Sequence, residues 1–498
     1  MAAPATARVT EPRSVEETRG LLEDSSSEAG APDHGSERAP SATKWGAWTT
    51  VAVLHACAAV DAGDVAILSA VFRTLEASSL RVGPQTMGSL SLAQSLAMAL
   101  AAPCWGIVAD FVPRRRLLAL GVLSWTVTAW LTAMATSVGA LIACRALNGI
   151  GLAVISPLSF SMLSDLYPDH QRGRAFGLLF LSAQVGAALS SVAASVVASR
   201  SPLGVAGWRV CFLAAGCVSA CLVPCVLAAP EPAQPLAPRS TPRATDVRIV
   251  LAAVWHNRTL QLITLQGLFG NIPWQAFGFL TLWLQYRGES DALAATIANA
   301  FRVGTAIGAW AGGALSDACH GRDAAHGRVY LVQAADSLRL PMVYILFRGG
   351  DGADSYNAVR AVVALVAIGL FAPAAGVSNR AILAEATPAS ARASTLAVNT
   401  ALEGIFASVI GGPLVGVLAE RCFDYELPPA GSTVAQMSGA FRERNARALG
   451  ESLFALTIVP WVICLLLYSL VHLTFVADVR RAKQADARAA AQHKANNR

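Results

Sequence analysis

Asp61 and Asp64 stand three residues apart in a stretch, 46–72, that holds no other acid and no Lys or Arg. On a helix that spacing puts both carboxylates on one face. An ionisable group at the centre of a bilayer costs about 2.5–3.5 kcal/mol on insertion scales, so one that is kept needs a partner or a task. The obvious partner is Arg145, alone among charges in the apolar window 139–164. The residues predict that Arg145 pairs with Asp61 or Asp64, and that one aspartate can take and release a proton. Burial would raise its affinity for the proton and the guanidinium would lower it. A static ion pair near the membrane surface is the alternative.

Other polar groups sit in apolar surroundings. Asn148 follows Arg145 by one turn. Arg302 and Glu403 each fall about ten residues from a helix end, near the midplane at roughly 1.5 Å per residue. They are expected to pair, either as a structural bridge or as a substrate contact. Gln266-Gly267-Leu268-Phe269-Gly270-Asn271-Ile272-Pro273-Trp274-Gln275 combines two glycines with a proline. Proline removes a backbone hydrogen bond, so this helix should break there. Asn271, Trp274 and Gln275 then become candidate ligand contacts, or part of a simple kink. Asp336 and Arg339 are i,i+3 and should satisfy each other. His55 is nine residues from Asp64, half a turn out of phase, and should point away from it.

A third group of charges marks helix ends. Gly106-Ile107-Val108-Ala109-Asp110-Phe111-Val112-Pro113-Arg114-Arg115-Arg116 has a weaker copy at Gly313 to Arg322 that includes Asp317. Asp165, Pro168 and Arg172 recur as Glu385, Pro388 and Arg392, each 220 residues later. Two copies of such a pattern indicate duplication.

These residues must be positioned by membrane helices. The chain is 54% hydrophobic and 14% charged, against about 25% charge in soluble domains. Twelve windows are long and apolar enough to cross roughly 30 Å of hydrocarbon. The first six lie near 46–72, 84–109, 117–136, 139–164, 174–198 and 210–229. The second six lie near 259–286, 293–316, 328–348, 357–385, 393–419 and 449–476. The expected organisation is a disordered polar tail (1–44), a six-helix bundle (45–229), a Pro/Arg-rich linker (230–258), a second bundle (259–476) and a basic tail (477–498). With both termini inside, 24 Lys and Arg lie in inner loops and tails and 11 in outer loops. That bias puts both termini in the cytosol. The glycosylation pattern Asn257-Arg258-Thr259 is then on the wrong side to be used. Ten cysteines fall almost all in apolar windows and read as small packing residues.

The fold class is therefore all-α integral membrane, two pseudo-symmetric halves of six helices with a site between them. Residues 45–480 resemble the major facilitator superfamily. Gly106 to Arg116 is similar to its signature loop, although Phe111 and Pro113 replace a basic residue and a glycine. Leu141 to Gly151, with Arg145 and Asn148-Gly149, resembles its helix-four motif, and Gly207-Trp208-Arg209 its entry to helix six. Within the superfamily the chain looks nearest to the Spinster-like group, and to a related plant, algal and protist branch that it resembles on Gln266 to Trp274 and Pro413 to Glu420. The resemblance implies a cytosolic gate built from Gly106, Asp110, Arg114, Arg115, Arg116, Asp165, Arg172, Asp317, Arg322, Glu385 and Arg392. It would link the halves when the cavity opens outward. The alternative is that these charges only anchor helix ends.

The function expected is secondary active transport of a small organic solute or lipid-like amphiphile by alternating access, coupled to protons or ions. The alternative is a receptor or membrane-organising protein that keeps the fold. Glu385 and Arg392 are loop charges, and nothing suggests nucleic acid. Phosphate-loop, zinc-protease and nucleophile-elbow motifs are absent, so no enzyme and no cofactor is expected. The protein is expected to act as a monomer in the plasma membrane or a lysosomal or vacuolar membrane. Glu17-Thr18-Arg19-Gly20-Leu21-Leu22 fits an acidic dileucine sorting pattern that would favour the latter.

Overall fold

The computed structural model describes residues 44–109, 111–231, 257–349, 357–389 and 391–496. The dileucine pattern, Asp110 and most of the linker lie outside them. The described residues are helical almost throughout. The first half contains α1 (Lys44–Ala70), the short α2 (Phe72–Ala77), α3 (Pro84–Val108) and α4 (Arg114–Met134). It continues with α5 (Val138–Leu152), α6 (Ile155–Leu166), α7 (Asp169–Ala198) and α8 (Gly207–Ala228). The second half contains α9 (Arg258–Gly270), α10 (Ile272–Ala276), α11 (Leu280–Tyr286), α12 (Asp291–Ala298) and α13 (Ala300–Arg322). It ends with α14 (Gly327–Arg348), α15 (Ala358–Ala386), α16 (Arg392–Arg421) and α17 (Gly439–Asn496).

Local sequence explains the boundaries. Pro84 opens α3 in the first turn, where a missing N–H costs nothing. Ser137, Asn257, Ser290 and Asn357 cap the starts of α5, α9, α12 and α15 by accepting a backbone N–H.

Ten spans are single helices, or helix pairs running on, that are long and apolar enough to cross a membrane. The other two complete the twelve. The seventh is interrupted at Asn271, before Pro273, and again by a 3₁₀ turn at Phe277–Phe279. The ninth, α14, carries Arg328, Asp336, Arg339 and Arg348. The last helix does not stop at residue 476. It runs 58 residues to Asn496, about 87 Å at 1.5 Å per residue, so it projects beyond a bilayer and the basic tail is helical as far as Asn496.

The packing repeats. In the first half α1 lies on α7, α3 on α5, and α4 on α8. In the second half α10 lies on α16, α13 on α15, and α14 on α17. These are the first–fifth, second–fourth and third–sixth helices of each set. The halves meet through α3 on α16 and α12 on α7, again a symmetric exchange. The α3–α16 contact is very close: a Cβ at Gly88 would lie 2.5 Å from the Gly412 carbonyl oxygen.

One side of the molecule carries the start of α1 beside the end of α8, where Thr50 donates to the Pro230 carbonyl at 2.7 Å. The start of α9 meets α17 there, with the Thr259 N–H on Asp478 at 2.8 Å. This is the termini side; the opposite is the far side. The inter-half hydrogen bonds among the described residues run from mid-depth to the far side. Gln85 N–H meets Glu420 at 2.9 Å, Gly431 N–H meets the Ala77 carbonyl at 2.8 Å, and Ser195 donates to the Asp291 carbonyl at 2.9 Å.

Candidate functional site

Arg145 projects from α5 to α1 and places Nη2 3.3 Å from Oδ2 of Asp64. Both side chains are sealed, at 0% and 2% exposure. The spacing left Asp61 and Asp64 equivalent; the geometry selects Asp64. The Oδ1 of Asp61, one turn earlier, is buried and has no hydrogen-bond partner among the described residues. The guanidinium also lies over the Phe212 ring of α8, 5.3 Å from its centroid. Gln94 of α3 completes the group, donating Nε2 to Asp64 at 3.4 Å and to Asn148 at 2.9 Å. The helices can approach this closely because Gly149 faces the Gln94 backbone, where a Cβ would sit 2.2 Å from its oxygen.

A cavity of about 150 Å³ lies between the halves. Gln94 and Ser191 line it from the first half, and Trp274, Gln275, Asn299 and Arg302 from the second. Gln94 therefore touches both the cavity and the buried pair. Arg302 donates to Gln184 of α7 at 3.0 Å and to Asn299 at 2.8 Å, and Asn299 donates to Ser191. Trp274 packs with Phe277, Phe301 and Trp461, giving the cavity an aromatic wall.

Glu403 lies elsewhere. It accepts from Asn399 at 2.6 Å and from Asn271 at 3.2 Å, and Thr264 donates to Asn399 at 2.7 Å. The expected Arg302–Glu403 pair does not form. The helix carrying Arg302, α13, packs on α15 and reaches α7, whereas Glu403 on α16 faces α9 across the break. Asn271 is thus a support for Glu403 and lies off the cavity wall. Asp336 and Arg339 do pair within α14, and Arg339 covers Trp461 at 4.1 Å. His55 bonds Ser182 at 2.7 Å.

On the termini side, Arg114 pairs with Asp165 at 2.5 Å. Arg328 pairs with Glu385 and lies 3.6 Å from Asp317. These are the same bridge in the two halves, from the start of the third helix to the end of the fourth, and each joins residues of one half. The basic partner in the second copy is Arg328; Arg322 is exposed, as are Arg116 and Arg392. Arg115 donates to the Ala229 carbonyl at 3.3 Å, and Arg172 to the Ser164 and Tyr167 carbonyls at 2.9 and 3.2 Å. A Cβ at Gly106 would meet open space. Sequence reasoning missed Gln94, Gln184, Asn299 and Asn399, single amides in apolar windows. It also missed Arg328, whose only signal was its place at the start of the ninth span.

Comparison with known proteins agrees with this architecture. The profile of the Major Facilitator Superfamily matches residues 54–335, more than half of the chain. Protein spinster of Drosophila melanogaster is 28% identical over 151 residues, 30% of this chain and 25% of that protein. The putative niacin/nicotinamide transporter NiaP of Bacillus subtilis is 29% identical over 119 residues, 24% of this chain and 30% of that protein. The matched stretches thus span about a quarter to a third of these relatives. Among solved structures, a bacterial homologue of the human lysosomal transporter Spinster, inward-facing and unoccupied, superimposes with a TM-score of 0.73 at 18% identity. That match covers 88% of this chain and 99% of the other. A D-xylose-proton symporter gives a TM-score of 0.61 at 15% identity, covering 84% and 97%. The chain is a multi-pass membrane protein and belongs to the Major Facilitator Superfamily, with Spinster-like proteins among its relatives.

Proposed function

We propose that this protein is a transporter that moves a small organic solute or amphiphile by alternating access, with the cavity between the halves as its site and Asp64 as its proton-coupling group. The observation that carries the reading is Gln94, which lines the cavity and also donates to Asp64, the partner of Arg145. A ligand that engages Gln94 competes for the hydrogen bond to Asp64. Breaking the Asp64–Arg145 pair likewise alters the Gln94 contact. Either event changes the other's free energy, which is the requirement for coupling. Arg302 and the Trp274 wall suit a ligand with an anionic or amide group beside an apolar part. The aromatic surface also accommodates an amphiphile, the class that the Spinster resemblance suggests.

The Lys/Arg bias supports cytosolic termini, so the far side faces outward or into an organelle lumen. The far-side inter-half bonds then correspond to an inward-facing arrangement. Among the described residues, the termini-side bridges Arg114–Asp165 and Arg328–Glu385 each join groups of one half. An untargeted metabolite comparison of knockout and overexpressing cells nominates the substrate. Uptake into proteoliposomes under an imposed pH gradient then decides the role. Asp64→Asn should abolish gradient-driven uptake, while Asp61→Asn retains part of it. Full uptake in both variants would sink the coupling assignment.

A further inference from the structure

We infer that Glu76 is a second proton-binding site, loaded when the far side closes and emptied when it opens. The inference rests on the alternating-access reading above, because it needs the far side to open.

Glu76 sits in α2, beyond the apolar window of α1, which ends at Ala70. Its side chain is 0% exposed. Two tyrosines of the other half close over it. Tyr286, at the end of α11, donates to Oε2 at 2.8 Å, and the Tyr425 hydroxyl is hydrogen-bonded with Oε1. The two hydroxyl oxygens are themselves 3.1 Å apart. Tyr425 is aimed inward by the turn that ends α16, where Asp424 takes the left-handed conformation at φ 58° and the Tyr425 N–H returns to the Ala419 carbonyl.

Three oxygen-bearing groups thus form a ring of three hydrogen-bond contacts. Each tyrosine hydroxyl supplies one proton, so two protons serve three contacts. A proton on Glu76 supplies the third and completes the ring: Glu76 donates to Tyr425, Tyr425 to Tyr286, and Tyr286 back to Glu76. With Glu76 ionised, only two protons serve the three contacts and one contact is always left without a hydrogen.

The charged surroundings are few. Arg73 of α2 lies 3.7 Å from Oε2 and favours the ionised form, while its Nη2 bonds the Ser432 carbonyl at 2.9 Å. Glu420 of α16 acts on Glu76 with like charge. Burial, the largest influence, pushes the Glu76 carboxyl from its ordinary 4.5 up to about 7; Arg73 and the two hydroxyls oppose it and Glu420 adds to it. An opened far side would expose Glu76 to water and return it toward 4.5. The sign follows by linkage. The closed state binds the proton more tightly, so acid favours closure. Between those two values the open-to-closed ratio should rise roughly tenfold per pH unit. This site is separate from Asp64, which lies twelve positions earlier in α1.

The test uses the full-length protein in lipid nanodiscs. Spin labels introduced through a bioorthogonal amino acid at Ser199 and Thr433, exposed on opposite halves of the far-side cleft, report the opening. Infrared difference spectra report a protonated carboxyl. We expect the wild type to shift toward the longer distance as pH rises from about 4.5 to 7, with loss of a carboxyl C=O band, and Asp64→Asn to keep a shift in that window. Glu76→Gln made on the Asp64→Asn background should lack that band and show a pH-independent distance. A pH-driven opening that persists unchanged in that double variant would overturn this site and leave the transport reading intact. A far side that never opens in any variant would overturn both.

Discussion

Arg145 and Asp64 meet at 3.3 Å with neither side chain open to solvent, and the amide of Gln94 ties that pair to the cavity between the halves. A buried pair is a weak source of stability but an expensive one to break. Asp64→Ala leaves Arg145 enclosed over the Phe212 ring without its carboxylate, and should cost on the order of 3–5 kcal/mol. The double change Asp64→Asn/Arg145→Gln removes both charges and should unfold at a higher temperature than Asp64→Ala alone. Thermal denaturation in detergent checks this. A double variant less stable than the single one would mean that the pair is not the local determinant.

The closeness of α3 and α16 makes a second prediction. A side chain at Gly88 would run into the Gly412 carbonyl, and one at Gly416 into the Gln85 backbone at 2.3 Å. Neither clash is with a flexible side chain. Gly88→Val should therefore pry the far side apart. The readout is modification, by a membrane-impermeant thiol reagent, of Thr281→Cys in the cavity wall. We expect several-fold faster labelling from the far side than in the parent. An unchanged rate would show that the helices shift to absorb the added methyls.

The duplicated bridge gives a third. Arg328 lies with Glu385 and Asp317, so Arg328→Glu would bring three acids together on the termini side. That single change should lower yield and melting temperature. The exchange Arg328→Glu/Glu385→Arg restores an opposite-charge pair and should recover most of the loss, as a partly buried bridge worth around 1 kcal/mol would. No recovery in the exchange would show that each residue acts through other contacts.

How much of this was legible in the chain depends on the range of the interaction. Hydropathy and the 220-residue repeat located the helices because each signal is local or periodic. The break at Asn271 followed from Gly267, Gly270 and Pro273, since backbone chemistry acts within a turn. Asp61 and Asp64 could not be separated, because three residues apart they share a face; only the position of α5 decides. Arg302 and Glu403 were matched by depth, but depth does not say which helix is the neighbour. Gln94 and Asn299 are single amides in apolar windows and carry no charge to betray them. Glu76 and Tyr425 are 349 positions apart, and each looks like an ordinary loop residue until the halves are joined.

The Glu76 ring also makes the folded protein pH-sensitive in a definite direction. Its carboxyl is raised from 4.5 to about 7 in the closed protein. A group raised on folding gives its full stabilisation below the unfolded value and loses it as pH rises to the folded value. The loss should therefore begin near pH 4.5, grow until about 7, and stay level above that. Over that interval it amounts to a value on the order of 3 kcal/mol, since stability changes by about 1.36 kcal/mol for each pH unit between the two values. Glu76→Gln keeps an acceptor and a donor in the ring but cannot ionise, so it should escape the loss. The quantity to measure is the melting temperature of the wild type minus that of Glu76→Gln from about pH 4 to 8.5, which cancels the contributions of other acids. The difference should fall through this window and then flatten. A difference that is constant across the range, or that grows more favourable to the wild type with rising pH, would mean that Glu76 is held ionised by Arg73 and the tyrosines despite its burial.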